Sequence, residues 1–231
     1  MSRLFAIGDI HGCVDEVEVL LQHLQPTGDD TLVFLGDYID RGPAPKGVVD
    51  RLLRLRREGP QCVFLKGNHE DMFLDFLGQA GHYGEAFLYN GGATTLRSYG
   101  LLGQPGPEVA RKLPLEHLEF YRQLQISHQV GSFLFVHAGI RPGRPLRQQS
   151  DEDLVWIRED FTRNPHDLGW TVVFGHTPYR EVLVDLPYKI GLDTGLVYRN
   201  KLSCLDTGGG IVHQVARDSR QVKTSTLPGL V

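Results

Sequence analysis

Apolar residues along the first third of the chain alternate between two spacings. The run from Arg3 to Ile7 is short and continuous and stops at Gly8, which predicts a buried strand. Val14, Val17, Leu20, Leu21 and Leu24 then recur at helical spacing, and Pro26 follows the last turn. The pattern repeats twice. Thr31 to Leu35 predicts a strand, and Val48, Val49, Leu52, Leu53 and Leu55 mark a helix closed by Gly59 and Pro60. Gln61 to Leu65 predicts a third strand, and Met72, Phe73, Phe76 and Leu77 begin a third helix. Strand–helix alternation of this kind implies parallel strands with crossover helices.

The pattern changes between Gly78 and Leu124. Gly91, Gly92, Pro105, Pro107 and Pro114 punctuate short helical stretches such as Leu113 to Leu124. This segment is too short for a good core of its own and reads as a helical excursion from one domain spanning residues 1–231. Mainly strands follow: Ile126 to Val130, Phe133 to Val136, Thr171 to Phe174, Tyr188 to Leu192, Lys201 to Leu205 and Ile211 to Val215. Asp206 to Gly210 signals a hairpin loop between the last two. The tail from Ser219 is polar and is expected to be loose. The fold class is mixed α/β.

Composition narrows the function classes. A formal charge of −4 disfavours a general binder of nucleic acid or of acidic membranes. Cys13, Cys62 and Cys204 are odd in number and scattered, which argues against a disulfide framework and for a reducing compartment. The N-terminus reaches Gly8, Asp9 and His11 too early for a signal-peptide apolar region, and no apolar run approaches membrane-spanning length. The expectation is a cytoplasmic protein, a monomer by default, with no nucleic-acid or membrane partner.

The chemistry-bearing residues share one position: each follows an apolar strand. Gly8-Asp9-Ile10-His11-Gly12, Gly36-Asp37-Tyr38-Ile39-Asp40-Arg41-Gly42 and Gly67-Asn68-His69-Glu70 follow the first three strands. His137-Ala138-Gly139 and Gly175-His176-Thr177 follow two later ones. Ligand sites of α/β sheets lie at the carboxyl ends of strands, so these five loops are expected to converge. Asp9, His11, Asp37, Asn68, His137 and His176 offer oxygen and imidazole nitrogen without a thiolate, a set suited to Mn²⁺, Fe or Zn²⁺. So many ligands exceed what one ion needs. Two ions about 3.5–4 Å apart, sharing one carboxylate, use them naturally and suit attack on phosphorus.

Any one of these residues has an ordinary structural explanation; five strand-end motifs in one order do not. Together they resemble the calcineurin-like metallophosphoesterases, from Arg3 to about Asp206. More narrowly they resemble the phosphoprotein phosphatase family. Asn90-Gly91-Gly92 and Trp156-Ile157-Arg158-Glu159 are similar to its bacterial and phage branch, which includes the phage lambda Ser/Thr protein phosphatase. The resemblance implies a β-sandwich flanked by helices, with a dimetal site at the C-terminal ends of the strands. It implies that Asp9, His11 and Asp37 hold one divalent ion, and that Asp37 bridges to a second completed by Asn68, His137 and His176. Mn²⁺ is the first expectation, with Fe or Zn²⁺ as alternatives. Arg41, Asn68 and Arg158 would grip substrate phosphate. His69 would protonate the leaving group, oriented and kept cationic by Asp40.

The implied activity is a protein serine/threonine phosphatase that hydrolyses phosphomonoesters of phosphoprotein or phosphopeptide substrates, with phosphotyrosine as a further class, by direct attack of a metal-bridging hydroxide. One alternative is a symmetrical diadenosine tetraphosphate hydrolase or related nucleotide phosphoesterase. That group lacks the aspartate matching Asp40 and has Asp where this chain has Glu70, so both residues are read in favour of the phosphatase. A second alternative is a non-catalytic binding module of the same fold. Among weaker features, Arg51, Arg54, Arg56 and Arg57 read as a solvated helix face. Cys13 reads as a small packed side chain, with redox control of the site as a hypothesis. Tyr83, Phe87, Tyr89 and Asn90 are expected to wall the site.

Overall fold

The computed structural model describes residues 2–230. Its first half holds β1 (Leu4–Ile7), α1 (Val14–Leu24), β2 (Thr31–Phe34), α2 (Pro45–Glu58), β3 (Gln61–Phe64) and α3 (Asn68–Phe76). Three short helices follow, α4 (Ala93–Ser98), α5 (Gly106–Lys112) and α6 (Leu115–Arg122). Then come β4 (Ser127–Val130), β5 (Phe133–Val136), α7 (Asp151–Trp156), α8 (Glu159–Thr162), β6 (Thr171–Phe174), β7 (Leu183–Asp185) and β8 (Lys189–Gly191). The chain continues through β9 (Lys201–Asp206), β10 (Ile211–Ala216) and β11 (Val222–Thr226).

Two mixed sheets result. One has the order β11-β10-β9-β1-β2-β3, the other β4-β5-β6-β8-β7. As the sequence predicts, β1, β2 and β3 are parallel, with Phe5 opposite Leu32 and Leu32 opposite Cys62. Side-chain alternation then builds the layers. Phe5, Ile7, Leu32 and Phe34 face α1 and α2, together with Val17, Leu20, Val48 and Leu52. Ala6 and Val33 point the other way and meet Phe135, Val173 and Ile190 of the second sheet. Leu134, Val136, Val172 and Phe174, on the far face of that sheet, pack on Leu154 and Phe161 of α7 and α8. The layers are helices, sheet, sheet, helices, the sandwich implied by the resemblance.

The excursion packs into the same core as the first three helices, through Leu96, Val109, Phe120 and Tyr121. Phe87 is fully buried and stacks on Phe73 of α3, with ring centroids 5.0 Å apart. Losing a ring this well packed costs about 3–5 kcal/mol.

Three expectations need correction. The tail from Ser219 is not loose: Val222 to Thr226 pairs antiparallel with β10, because alternating β-branched residues suit an edge strand even when they are polar. The basic run on α2 is not a uniformly solvated face. Arg51 is buried and bridges Glu18 at 2.5 Å and Glu58 at 3.1 Å. Phe87 is core and does not wall the site. Among the described residues, no helix is long and apolar enough to cross a membrane.

Candidate active site

The carboxyl ends of β1, β2, β3, β5 and β6 lie side by side, and each hands the chain to a tight loop. The glycines explain how the loops fit. Gly36 has φ +107°, and a Cβ there would lie 2.6 Å from the Gly67 nitrogen and 2.8 Å from the His137 ring. A Cβ on Gly175 would collide with the Asp9 carboxylate. Several non-glycine residues at the site also hold positive φ: His11 at 44°, Asp37 at 52°, Asp40 at 68°, Arg41 at 62° and His176 at 63°. Each such position costs about 1–3 kcal/mol, and strain clustered in this way marks functional sites.

Glu70 organises the loops from within. It is fully buried and accepts backbone N–H groups from Asp37 at 2.9 Å, Tyr38 at 2.8 Å, Ile39 at 3.2 Å and Gly67 at 3.1 Å. One carboxylate thereby fixes the loop after β2 against the start of α3.

Around this frame the predicted side chains converge. Asn68 Oδ1 lies 3.2 Å from His137 Nε2 and 2.9 Å from His176 Nδ1. Asp37 offers one carboxylate oxygen to each side: Oδ2 is 3.3 Å from His11 Nε2, and Oδ1 is 3.4 Å from His137 Nε2. Asp37 thus belongs to two tight groups able to hold a cation, one with His11 and His69, the other with His137 and His176. Asp9 lies outside both groups. Its carboxylate is aimed by the His176 backbone N–H, at 3.2 and 3.1 Å. His69 stands in the first group, where the resemblance implies Asp9.

The ring orientations leave nitrogen lone pairs facing inward. His11 Nδ1 donates to the Ile39 carbonyl and His137 Nδ1 to the Leu35 carbonyl, both at 2.8 Å. Backbone bonds of this kind fix the tautomer that presents Nε2 as a ligand. Burial holds His137 and His176 below the usual imidazole range, so both are neutral. The buried Nε2 of His176 has no hydrogen-bond partner. The carboxylates are crowded. Burial, then the charges of Asp193 and Asp37, push Asp9 well above its ordinary value. Neutral imidazoles around repelling carboxylates, with an orphaned ring nitrogen, fit hard or borderline divalent cations.

Asp40 meets His69 as the sequence expects, with Oδ2 2.6 Å from Nδ1. Burial pushes Asp40 up to about 8 and His69 well below its usual range. Arg41 lies over the Tyr198 ring at 5.6 Å and donates from Nη1 to His11 Nε2 at 2.7 Å. Arg158 precedes α8 and donates to the His176 carbonyl at 3.2 Å.

Sequence reasoning passed over two members of the site. Asp193 is buried, follows β8 and accepts from Gly195 N–H at 2.9 Å. Leu192-Asp193-Thr194-Gly195 carries the same strand-then-aspartate signal as the other loops. Thr95, in α4, donates to Asp40 Oδ1 at 2.5 Å, and nothing in its local sequence marks it.

A family profile described as calcineurin-like phosphoesterase matches residues 2–202. This chain is a calcineurin-like phosphoesterase. The chain is 28% identical over 229 residues to an asymmetrical bis(5'-nucleosyl)-tetraphosphatase, PrpE, of Oceanobacillus iheyensis, covering 87% of each protein. It is also similar to a solved structure described as a candidate diadenosine tetraphosphatase, with TM-score 0.68, 28% identity and 93% of each chain covered. A cold-active protein-tyrosine phosphatase of a Shewanella species superposes with TM-score 0.62 over 96% of this chain and 80% of that one, at 17% identity, a likeness of fold alone.

These relatives overturn the expectation of a protein serine/threonine phosphatase acting on phosphoproteins. The phosphoesterase family stands, but the relatives that share sequence over most of the chain are named for nucleotides. The error has a physical origin. The sequence comparison uses Asp40 and Glu70 as substrate markers. In the fold Asp40 binds His69 and Thr95, and Glu70 binds backbone N–H groups under the loops. Neither has a free edge to read what is attached to a phosphate.

Proposed function

We propose that this phosphoesterase hydrolyses dinucleoside tetraphosphates asymmetrically, releasing a nucleoside triphosphate and a nucleoside monophosphate. The observation that carries this reading is the match to asymmetrical tetraphosphatases along 87% of both chains. The buried cluster of oxygen and imidazole donors supports it, because a phosphoanhydride needs its charge neutralised more than its leaving group protonated.

In this reading Asp9, His11 and Asp37 hold one divalent ion, and Asp37, Asn68, His137 and His176 a second, with Mn²⁺ first and Fe or Zn²⁺ as alternatives. Such a pair, when bound, supplies Lewis-acid charge at phosphorus and makes water acidic enough to attack. Arg41, Arg158 and Asn68 hold the phosphate oxygens in line. His69, its Nδ1 occupied by Asp40, turns Nε2 toward the departing oxygen and donates the proton there.

The test is a product analysis. Mn²⁺-loaded protein is given diadenosine tetraphosphate, and the nucleotides are separated by anion exchange. ATP and AMP in equal amounts are expected. ADP alone would mean symmetrical cleavage, and hydrolysis of a phosphopeptide with the dinucleotide left intact would end the proposal.

A further inference from the structure

Beside the cluster opens a cavity of about 530 Å³, within the size range of small-molecule sites. Arg41, Arg97, Arg199 and Arg217 line it, with Asp218 as the one carboxylate among its lining residues. The guanidinium groups come from separate parts of the fold: the loop after β2, helix α4, the turn before β9 and the end of β10. Gathering like charges is unfavourable unless an anion joins them, and the chain as a whole is acidic.

The four arginines differ in what already occupies them. Arg217 is bound to the buried Glu16 at 2.5 Å. Arg41 reaches His11 and stacks on Tyr198. Arg97 and Arg199 are exposed, and neither has a carboxylate partner among the described residues. Planar guanidinium forks match phosphate oxygens in pairs. Arg41 belongs both to the cavity and to the His11 side of the cluster. Arg41 therefore offers a phosphate chain whose reacting phosphorus sits at the cluster a route into the cavity.

We infer that this cavity binds the polyphosphate chain beyond the bond that is cut. Arg97 and Arg199 are its specificity contacts, and they select substrates that carry several phosphates on that side. The inference rests on the dinucleotide reading above, and its test separates the two.

Arg97→Ala, Arg199→Ala and the double variant are assayed with diadenosine tetraphosphate and with p-nitrophenyl phosphate. kcat/KM for the dinucleotide is expected to fall about tenfold for each single variant and about a hundredfold for the double. The aryl phosphate, which has no further phosphates, should change less than twofold. A calorimetric titration with inorganic tripolyphosphate, on chelator-treated protein, reads the cavity without catalysis. The double variant should bind it at least tenfold more weakly than wild type. If wild type leaves the dinucleotide intact but the double variant still loses tripolyphosphate binding, the cavity assignment stands and the dinucleotide reading falls. Unchanged tripolyphosphate affinity in the double variant, or equal losses on both substrates, would overturn the inference.

Discussion

The Nδ1 of His69 lies 2.6 Å from Oδ2 of Asp40, with both side chains essentially closed to solvent. The contact fixes which ring nitrogen is free to act. It also makes the histidine's importance depend on what leaves. For alkyl phosphates such as glycerol phosphate, His69→Asn should lower kcat on the order of 10²–10⁴-fold. For diadenosine tetraphosphate the loss should be smaller, because the departing nucleoside phosphate is a much weaker base than an alkoxide. Steady-state rates on both substrates, with metal content measured in parallel, check this. A variant that loses metal would make His69 a ligand, as its place beside His11 and Asp37 allows.

Glu70→Gln puts an N–H₂ group against backbone donors. Removing one carboxylate that serves four N–H groups should cost about 3 kcal/mol, or about 6–12 °C in Tm. The ratio of dinucleotide to aryl-phosphate activity should not move, since Glu70 faces the loops. A changed ratio in the surviving folded protein would return Glu70 to the substrate.

Crowding of Asp9, Asp37 and Asp193 predicts that divalent cations stabilise the fold as well as activate it. At a hundredfold excess over Kd, Mn²⁺ should contribute about 2.7 kcal/mol, an upward shift of about 5–10 °C in Tm. Chelator should abolish both the shift and the activity. Asp37→Asn should lose most of the shift, and its full retention would remove Asp37 from the metal site.

Acid should release a tether at the other end of β1. The Arg3 guanidinium holds Asp30 at 2.6 Å, and that hydrogen bond, with further bonds from Thr27 and the Arg3 backbone, keeps the carboxyl well below its ordinary 3.8. A carboxyl depressed on folding stabilises above the unfolded value and loses that contribution progressively as pH falls from about 4 toward the depressed folded value. Urea unfolding of wild type and Asp30→Asn should differ by about 1 kcal/mol at pH 7, since Arg3 is partly exposed. The difference should shrink below pH 4. A constant difference would mean the aspartate acts through shape alone.

Cys13 is 1% exposed, and burial pushes its thiol up to about 12. Against an ordinary value of 9.0 that is about a thousandfold less thiolate. Iodoacetamide should leave Cys13 unlabelled in native protein at pH 8, and peroxide should inactivate wild type and Cys13→Ser equally. Selective protection in the serine variant would establish the redox control that burial argues against.

How much of this was legible beforehand follows the range of each signal. β1, β2 and β3 could be read from runs such as Leu32 to Leu35, because strands buried on both faces are continuously apolar. Asp9, His11, Asp37, Asn68, His137 and His176 could be read because each sits at a strand end, a local pattern. The antiparallel contact of β9 with β1 could not, since it joins residues about 200 positions apart. Thr95 was hidden for the same reason. Asp193 was visible and overlooked. The preferred substrate was misjudged because the two residues used to choose it serve the frame. Arg97 and Arg199, by contrast, are scattered and exposed and form no motif.

The order of the first sheet has a consequence for biosynthesis. β1 sits mid-sheet, with β2 on one side and β9 on the other, its Ala6 opposite Leu205. At about 5–20 residues per second, roughly 10–40 s separate translation of the two. Throughout that interval the nascent chain presents a bare, apolar edge on its central strand, available to any other extended segment. Slow codons between β8 and β9 would lengthen that exposure.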